Sequence, residues 1–191
     1  VQEQSMEVRK RLGYLPENPP LYNDMTVREY VEFAAQLKRI PRNRRRAAID
    51  LAIERCGLEN RRKQLIGTLS KGYRQRTGLA QAIVHEPDVL ILDEPTIGLD
   101  PAQIIEIREL IKGFGGEHTV ILSTHILPEV SVTCDSVAII HEGRIQLVET
   151  LEQLRKAGNT SLEEVFMRVI SGQKDAETTV NTPETREERA V

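Results

Sequence analysis

No tryptophan occurs among the 191 residues, and aromatic side chains make up only 4% of them. So thin a supply leaves few flat surfaces on which nucleic-acid bases could stack. The formal net charge of −3 offers no global attraction to nucleic acid or to an anionic membrane, and no nucleic-acid partner is expected. Cysteine is equally scarce. Cys56 and Cys134 are the only two, far apart and in no metal-binding spacing, which excludes a disulfide framework. No apolar run approaches the roughly 20 residues that a membrane-spanning helix needs. The first residues, Val1-Gln2-Glu3-Gln4, carry neither the basic nor the apolar stretch of a secretory signal and include no initiator methionine. The chain is therefore not expected to begin where its gene does.

What is present is the balance of one globular domain: 39% hydrophobic and 29% charged residues, with length for a real core. Three regions follow one another. Residues 1–20 are short and polar, turn apolar around Leu12–Leu15, and break at Pro16 and at Pro19-Pro20. Residues 21–87 read as helical. Thr26-Val27-Arg28-Glu29 has capping-box spacing ahead of a stripe of Tyr30, Val31, Phe33, Ala34 and Leu37. Pro41 ends that helix, a second runs from about Arg42 to Cys56 with Gly57 closing it, and a third runs from Ser70 to Val84.

From residue 88 the texture changes. Val89-Leu90-Ile91-Leu92 is a continuous apolar run, as a strand buried on both faces would be, and Val120–Leu122 and Val137–Ile140 repeat it. Helices of about 101–113 and 126–134 fall between them. This alternation predicts a parallel α/β sheet with right-handed crossovers. One more amphipathic helix is expected over 161–170, and residues 171–191, rich in Lys, Asp, Glu and Thr, are expected to be disordered.

The chemistry concentrates at Leu92-Asp93-Glu94-Pro95. An apolar strand ending in Asp-Glu sets two carboxylates at the carboxyl edge of a parallel sheet, where open α/β sheets bind ligands. Asp93 suits Mg²⁺, a hard cation that takes oxygen ligands, and Glu94 suits a general base acting on water. Acidic residues in an ordinary turn would look the same in isolation. Upstream, Leu69-Ser70-Lys71-Gly72-Tyr73-Arg74-Gln75-Arg76 opens the third helix. Ser70 can cap it, Gly72 lets another group approach the backbone, and the free N–H groups there form an anion site. Downstream lie Gly98-Leu99-Asp100-Pro101 and then Ser123-Thr124-His125, whose imidazole can donate to a phosphate oxygen.

In this order and spacing the residues resemble the nucleotide-binding domain of ABC ATPases. Leu69–Arg76 looks like the signature motif, Leu90–Pro95 like the Walker B strand, Gly98–Asp100 like the D-loop, and His125 like the switch histidine. Pro16-Glu17 sits where the family carries its Q-loop. The resemblance covers about residues 10–150. Tyr14–Tyr22, the signature stretch and the Ser161–Phe166 tail look most like stand-alone ATPase subunits of bacterial exporters.

The resemblance implies a P-loop NTPase-like parallel sheet of ABC ATPase type, incomplete here, with an inserted α-helical subdomain at about 20–87, an α/β core at 88–157 and a C-terminal helix at 161–170. It implies ATP and Mg²⁺ as cofactors. The metal would be held by Asp93 and approached by Glu17. Glu94 and His125 would be catalytic, and Ser70 and Gly72 would face the ATP bound to a second ATP-binding subunit. Asp100 would communicate across that pair, and Glu17 would link the site to a separate membrane subunit. The subunit would sit in the cytoplasm at the inner face of the cell membrane. Tyr22, Met25 and Tyr30 would line the groove for the membrane partner, although core packing explains them as well.

Several features depart from the family. Glu17 replaces the usual Gln, adding negative charge near the phosphates, and the signature reads Ser-Lys-Gly-Tyr instead of the commoner Ser-Gly-Gly-Gln. No Gly-x-x-x-x-Gly-Lys-Ser/Thr loop occurs among the twelve glycines, and only sixteen residues precede Glu17. The sequence is thus expected to be a truncated form that folds poorly by itself. A non-transport ABC ATPase, a catalytically dead interaction module and a P-loop supplied by another chain stay open. The basic clusters Arg42–Arg46 and Arg61–Lys63 read as solvated helix faces, and His85, His118 and His141 suggest no ligand cluster.

Overall fold

The computed structural model describes residues 5–156 and 161–171. Residues 1–4, 157–160 and 172–191, the last carrying nearly all of the tail expected to be disordered, lie outside the described residues. The chain forms two compact units, Val1–Glu129 and Val130–Val191.

In the first unit the order is α1 (Ser5–Arg11), β1 (Leu12–Leu15), α2 (Val27–Leu37), α3 (Arg42–Arg55), α4 (Lys71–Ile83), β2 (Val89–Asp93), α5 (Pro101–Phe114) and β3 (Thr119–Ser123). Local chemistry sets the helix ends. Thr26 accepts from the Glu29 N–H while the Glu29 carboxylate accepts from the Thr26 N–H, the expected capping box, which satisfies two otherwise unpaired donors. Gly57 closes α3 at φ 65, with the Leu58 N–H reaching back to the Ile53 carbonyl. Asp100 caps α5 and Pro101 takes its first turn, where no N–H is needed.

Strands β1, β2 and β3 form a parallel sheet in that order, with Tyr14 opposite Ile91 and Ile91 opposite Ile121. Helix α4 lies against β1, where Gln81 donates to the Tyr14 carbonyl at 2.8 Å. Leu15, Leu79, Leu90, Leu92 and Ile107 are fully or almost fully buried in one cluster with α2 and α3. Deleting such a side chain to Ala costs about 2–5 kcal/mol. The expectation that the β2 run is buried on both faces is only half met. Leu90 and Leu92 are buried, but the alternate row is more open, with Tyr14 at 47% and Ile121 at 51% exposure. Because all three strands are parallel, their carboxyl ends share one edge. Glu17, Asp93-Glu94 and Thr124-His125 follow the three strand ends along it.

Helix α6 (Leu127–Thr133) runs from the first unit into the second, which continues as β4 (Ser136–His141), β5 (Arg144–Thr150), α7 (Leu151–Lys156) and α8 (Leu162–Ser171). The third apolar run does form a strand, but not a parallel one: β4 pairs antiparallel with β5 in a two-stranded sheet. The reason is the turn between them. Glu142 and Gly143 have φ of 50 and 72, the left-handed pair that joins adjacent antiparallel strands in two residues, whereas a parallel return needs a crossover. Helix α8 takes in Ser171, one residue beyond the expected end.

Candidate functional site

The edge of the parallel sheet is shaped by the turn after β2. Asp93 is the last residue of the strand, and Glu94 turns the chain with φ 46, a left-handed conformation unusual for a residue with a β-carbon. Such a conformation costs about 1–3 kcal/mol and persists where its surroundings fix it. Here the Glu94 N–H donates to the Ser123 carbonyl at 2.9 Å, carrying the β2–β3 ladder one step past the strands.

That turn sends the Glu94 carboxylate across to the end of β3. Oε1 accepts from the His125 backbone N–H at 3.0 Å and lies 2.7 Å from His125 Nδ1. The contact fixes the proton on Nδ1 and leaves Nε2 toward solvent, since the ring is 69% exposed. The pKa of His125 is raised above its ordinary value, chiefly by the hydrogen bond to Glu94 and then by its charge. Glu129 and Glu17 add to the effect and partial burial opposes it. The structure therefore brings Glu94 and His125 into direct contact and places Glu17 within electrostatic reach.

Asp93 is half-buried, and its carboxylate has no hydrogen-bond or ion-pair partner among the described residues. No group of three or more His, Cys, Asp or Glu side chains among the described residues could hold a metal. The unpartnered Asp93 carboxylate at the sheet edge suits Mg²⁺, which takes one or two protein carboxylates and fills its remaining positions with water and phosphate oxygens.

A second group forms at the start of α4. Ser70 is the N-cap, yet its hydroxyl makes no capping bond, so it is available together with the unpaired N–H groups of a 13-residue helix. That fits a phosphate. The neighbouring residues belong to the start of α5 and the turn before it. A β-carbon on Gly72 would meet the Gln103 carboxamide at 2.7 Å, and one on Gly98 would meet the Lys71 ammonium. Asp100 belongs to this group by position, but its carboxylate is used locally, accepting from the Gln103 N–H at 3.0 Å. The seven residues singled out from sequence thus form two sets, Glu17, Asp93, Glu94 and His125 at the sheet edge and Ser70, Gly72 and Asp100 around the α4 terminus.

One participant escaped the sequence reading. Glu129, only 1% exposed, accepts from Thr96 at 2.5 Å, Arg108 at 3.2 Å and Thr124 at 3.2 Å. Its only local signal was an acid four residues after His125, and an acid in the first turn of a helix is too common to stand out.

Comparison with known proteins bears on the family and the fold. The model of the ABC transporter family matches residues 1–97. The bacitracin transport ATP-binding protein BcrA of Bacillus licheniformis is 40% identical over 82% of this chain and 51% of its own length. The ABC transporter ATP-binding protein NatA of Bacillus subtilis is 34% identical over 86% of this chain and 68% of its own length. Among solved structures, CbiO1 of Clostridium perfringens, part of the ABC transporter complex CbiONQ, matches with a TM-score of 0.74 at 31% identity, covering 88% of this chain and 66% of that one. The chain spans about half the length of the first curated relatives it matches, 51%, 52% and 47%. With its parallel sheet and these relatives, the chain belongs to the ABC transporter family as an ATP-binding domain.

Proposed function

We propose that these residues belong to the ATP-binding and hydrolysing subunit of an ABC transporter that exports its substrate through a separate membrane subunit. The observation that carries the proposal is Glu94, a carboxylate turned by a left-handed backbone to the carboxyl edge of a parallel sheet and gripped there by His125. When bound, ATP and Mg²⁺ supply the phosphoryl group that water attacks and the positive charge that offsets its oxygens.

The chain's own residues do the rest. Glu94 keeps Oε1 for His125 and takes a proton from water at Oε2, a general-base role that contributes about 10²–10⁴-fold. His125 orients that carboxylate through Nδ1 and offers Nε2–H to a phosphate oxygen. Asp93 would hold the metal, and Glu17, which follows β1 along the same edge, would approach it. Ser70 and the N-terminus of α4 act on the nucleotide of a second ATP-binding subunit, and Gly72, buried against the Gln103 carboxamide, lets the start of α5 pack close beside them. Asp100, at the cap of α5, faces that second subunit, and Glu17 connects the site to the membrane partner. No helix among the described residues is long and apolar enough to cross a membrane. The working place is the cytoplasmic face of the membrane. The Gly-x-x-x-x-Gly-Lys-Ser/Thr loop is not among these 191 residues, and ATP binding on this reading draws it from residues outside them.

Transport is supported by a relative named for bacitracin transport, and the export direction rests on the likeness of the Tyr14–Tyr22 and Ser161–Phe166 stretches to exporter subunits. The test is ATP turnover by the subunit in its native assembly, with Glu94→Gln beside the parent. Turnover should fall by about 10²-fold or more while ATP still binds. Equal turnover in the two proteins overturns the reading.

A further inference from the structure

We propose that Glu129 is a positioning residue for the Glu94–His125 pair, a single buried carboxylate that ties the segment following Glu94 to the segment preceding His125. The inference rests on reading that pair as the hydrolytic one.

A carboxylate at 1% exposure is tolerated only when it is paired and hydrogen-bonded. Arg108 on α5 supplies the pairing charge, with Nη2 at 3.2 Å. That ion pair alone would answer the burial, yet Glu129 also takes two hydroxyls, and they come from the two functional segments. Thr96, 2% exposed and two residues past Glu94, donates to the same oxygen as Arg108. Thr124, directly before His125, lies 3.2 Å from the other oxygen.

Thr124 is the joint. Its hydroxyl accepts from the Ile126 N–H at 3.1 Å, so its one proton is free to be donated. Two carboxylates compete for it, Glu129 at 3.2 Å and Glu94 at 3.5 Å. The nearer one takes it, which leaves Glu94 Oε2 open for water. The same bond pins the 124–126 turn that carries His125 onto Glu94 Oε1 at 2.7 Å. Without Glu129 the hydroxyl turns to Glu94 and the turn is held at one point fewer. A displacement near 1 Å in such a constellation costs about 10²-fold in rate.

The experiment uses the subunit in its transporter assembly, with Glu129→Gln, Thr124→Val, Thr124→Ser and the Glu129→Gln/Thr124→Val double variant. Turnover number, KM for ATP, thermal midpoint and hydrogen exchange at the His125 amide are measured for each. Glu129→Gln and Thr124→Val should each lower kcat by roughly tenfold or more with KM changed by less than about twofold. Their effects should fall well short of additive, and exchange at His125 should quicken relative to that at Leu92. Thr124→Ser, which keeps the hydroxyl, should restore most of the turnover. Because Glu129→Gln leaves Arg108 without a charge partner and threatens folding, Thr124→Val decides the question if that variant is lost. Parental kcat in Thr124→Val, or losses that follow the thermal midpoint in every variant with His125 exchange unchanged, overturns the proposal. If Glu94→Gln retains turnover, the hydrolytic reading fails instead, while exchange at His125 still reports whether Glu129 positions the turn.

Discussion

The Lys71 ammonium occupies the space that a β-carbon on Gly98 would need, so the loop that opens α4 is closed against the turn that opens α5. Gly98 also has φ 66, a conformation that costs a residue with a side chain about 1 kcal/mol. Gly98→Ala therefore carries two penalties, one in its own backbone and one in displacing Lys71. Denaturant unfolding should show a loss of roughly 1–2 kcal/mol, part of which disappears in a Lys71→Ala background. The same loss in both backgrounds would mean that Lys71 yields freely and only the backbone matters.

His125 should titrate above the ordinary histidine value of 6.5, because its protonated ring is held by Glu94. A group whose folded pKa is raised contributes stability that is fully present below the unfolded pKa and is lost as pH rises through the folded one. NMR titration of the imidazole reads the shift directly. Glu94→Gln removes both the charge and most of the hydrogen-bond preference, and should bring the midpoint back toward 6.5. An unchanged midpoint in that variant would show that the contact is absent in solution.

His85 should move the other way. Burial first, then the Lys38 charge, pushes its pKa down to about 4, against the hydrogen bond to the Leu12 carbonyl. Above about pH 6.5 the ring is neutral both folded and unfolded, so it contributes no pH dependence there. Between about 6.5 and about 4 the unfolded chain takes up a proton that the folded one refuses, and stability falls as pH drops. Urea unfolding at several pH values should show a shallower fall in His85→Gln than in the parent. Parallel curves would assign acid sensitivity to other groups.

Signals confined to one helix or one turn were legible in the sequence, and signals created by tertiary contact were not. Thr26 and Glu29 announced their capping box because both partners lie within one turn. Asp93, Glu94 and His125 could be placed on one edge because each follows an apolar run, and parallel strands bring such ends together. The β4–β5 hairpin was misread as one parallel strand because the apolar run Val137–Ile140 says nothing about its partner. The clue was Glu142-Gly143, whose backbone angles only the structure reveals. Strand β1 shows in the sequence only as apolar residues around Leu12–Leu15, since four residues carry no usable period. Glu129 was invisible because its burial depends on Thr96, Arg108 and Thr124, up to 33 positions away.

The left-handed backbone at Glu94 has a consequence for how this protein can change over generations. Asparagine tolerates that conformation better than glutamate does, so Glu94→Asn should unfold at equal or higher urea concentration while losing turnover. Robustness and work thus pull one codon in opposite directions. A population screened only for surviving heat would drift away from glutamate, which would persist only under selection for what its carboxylate does.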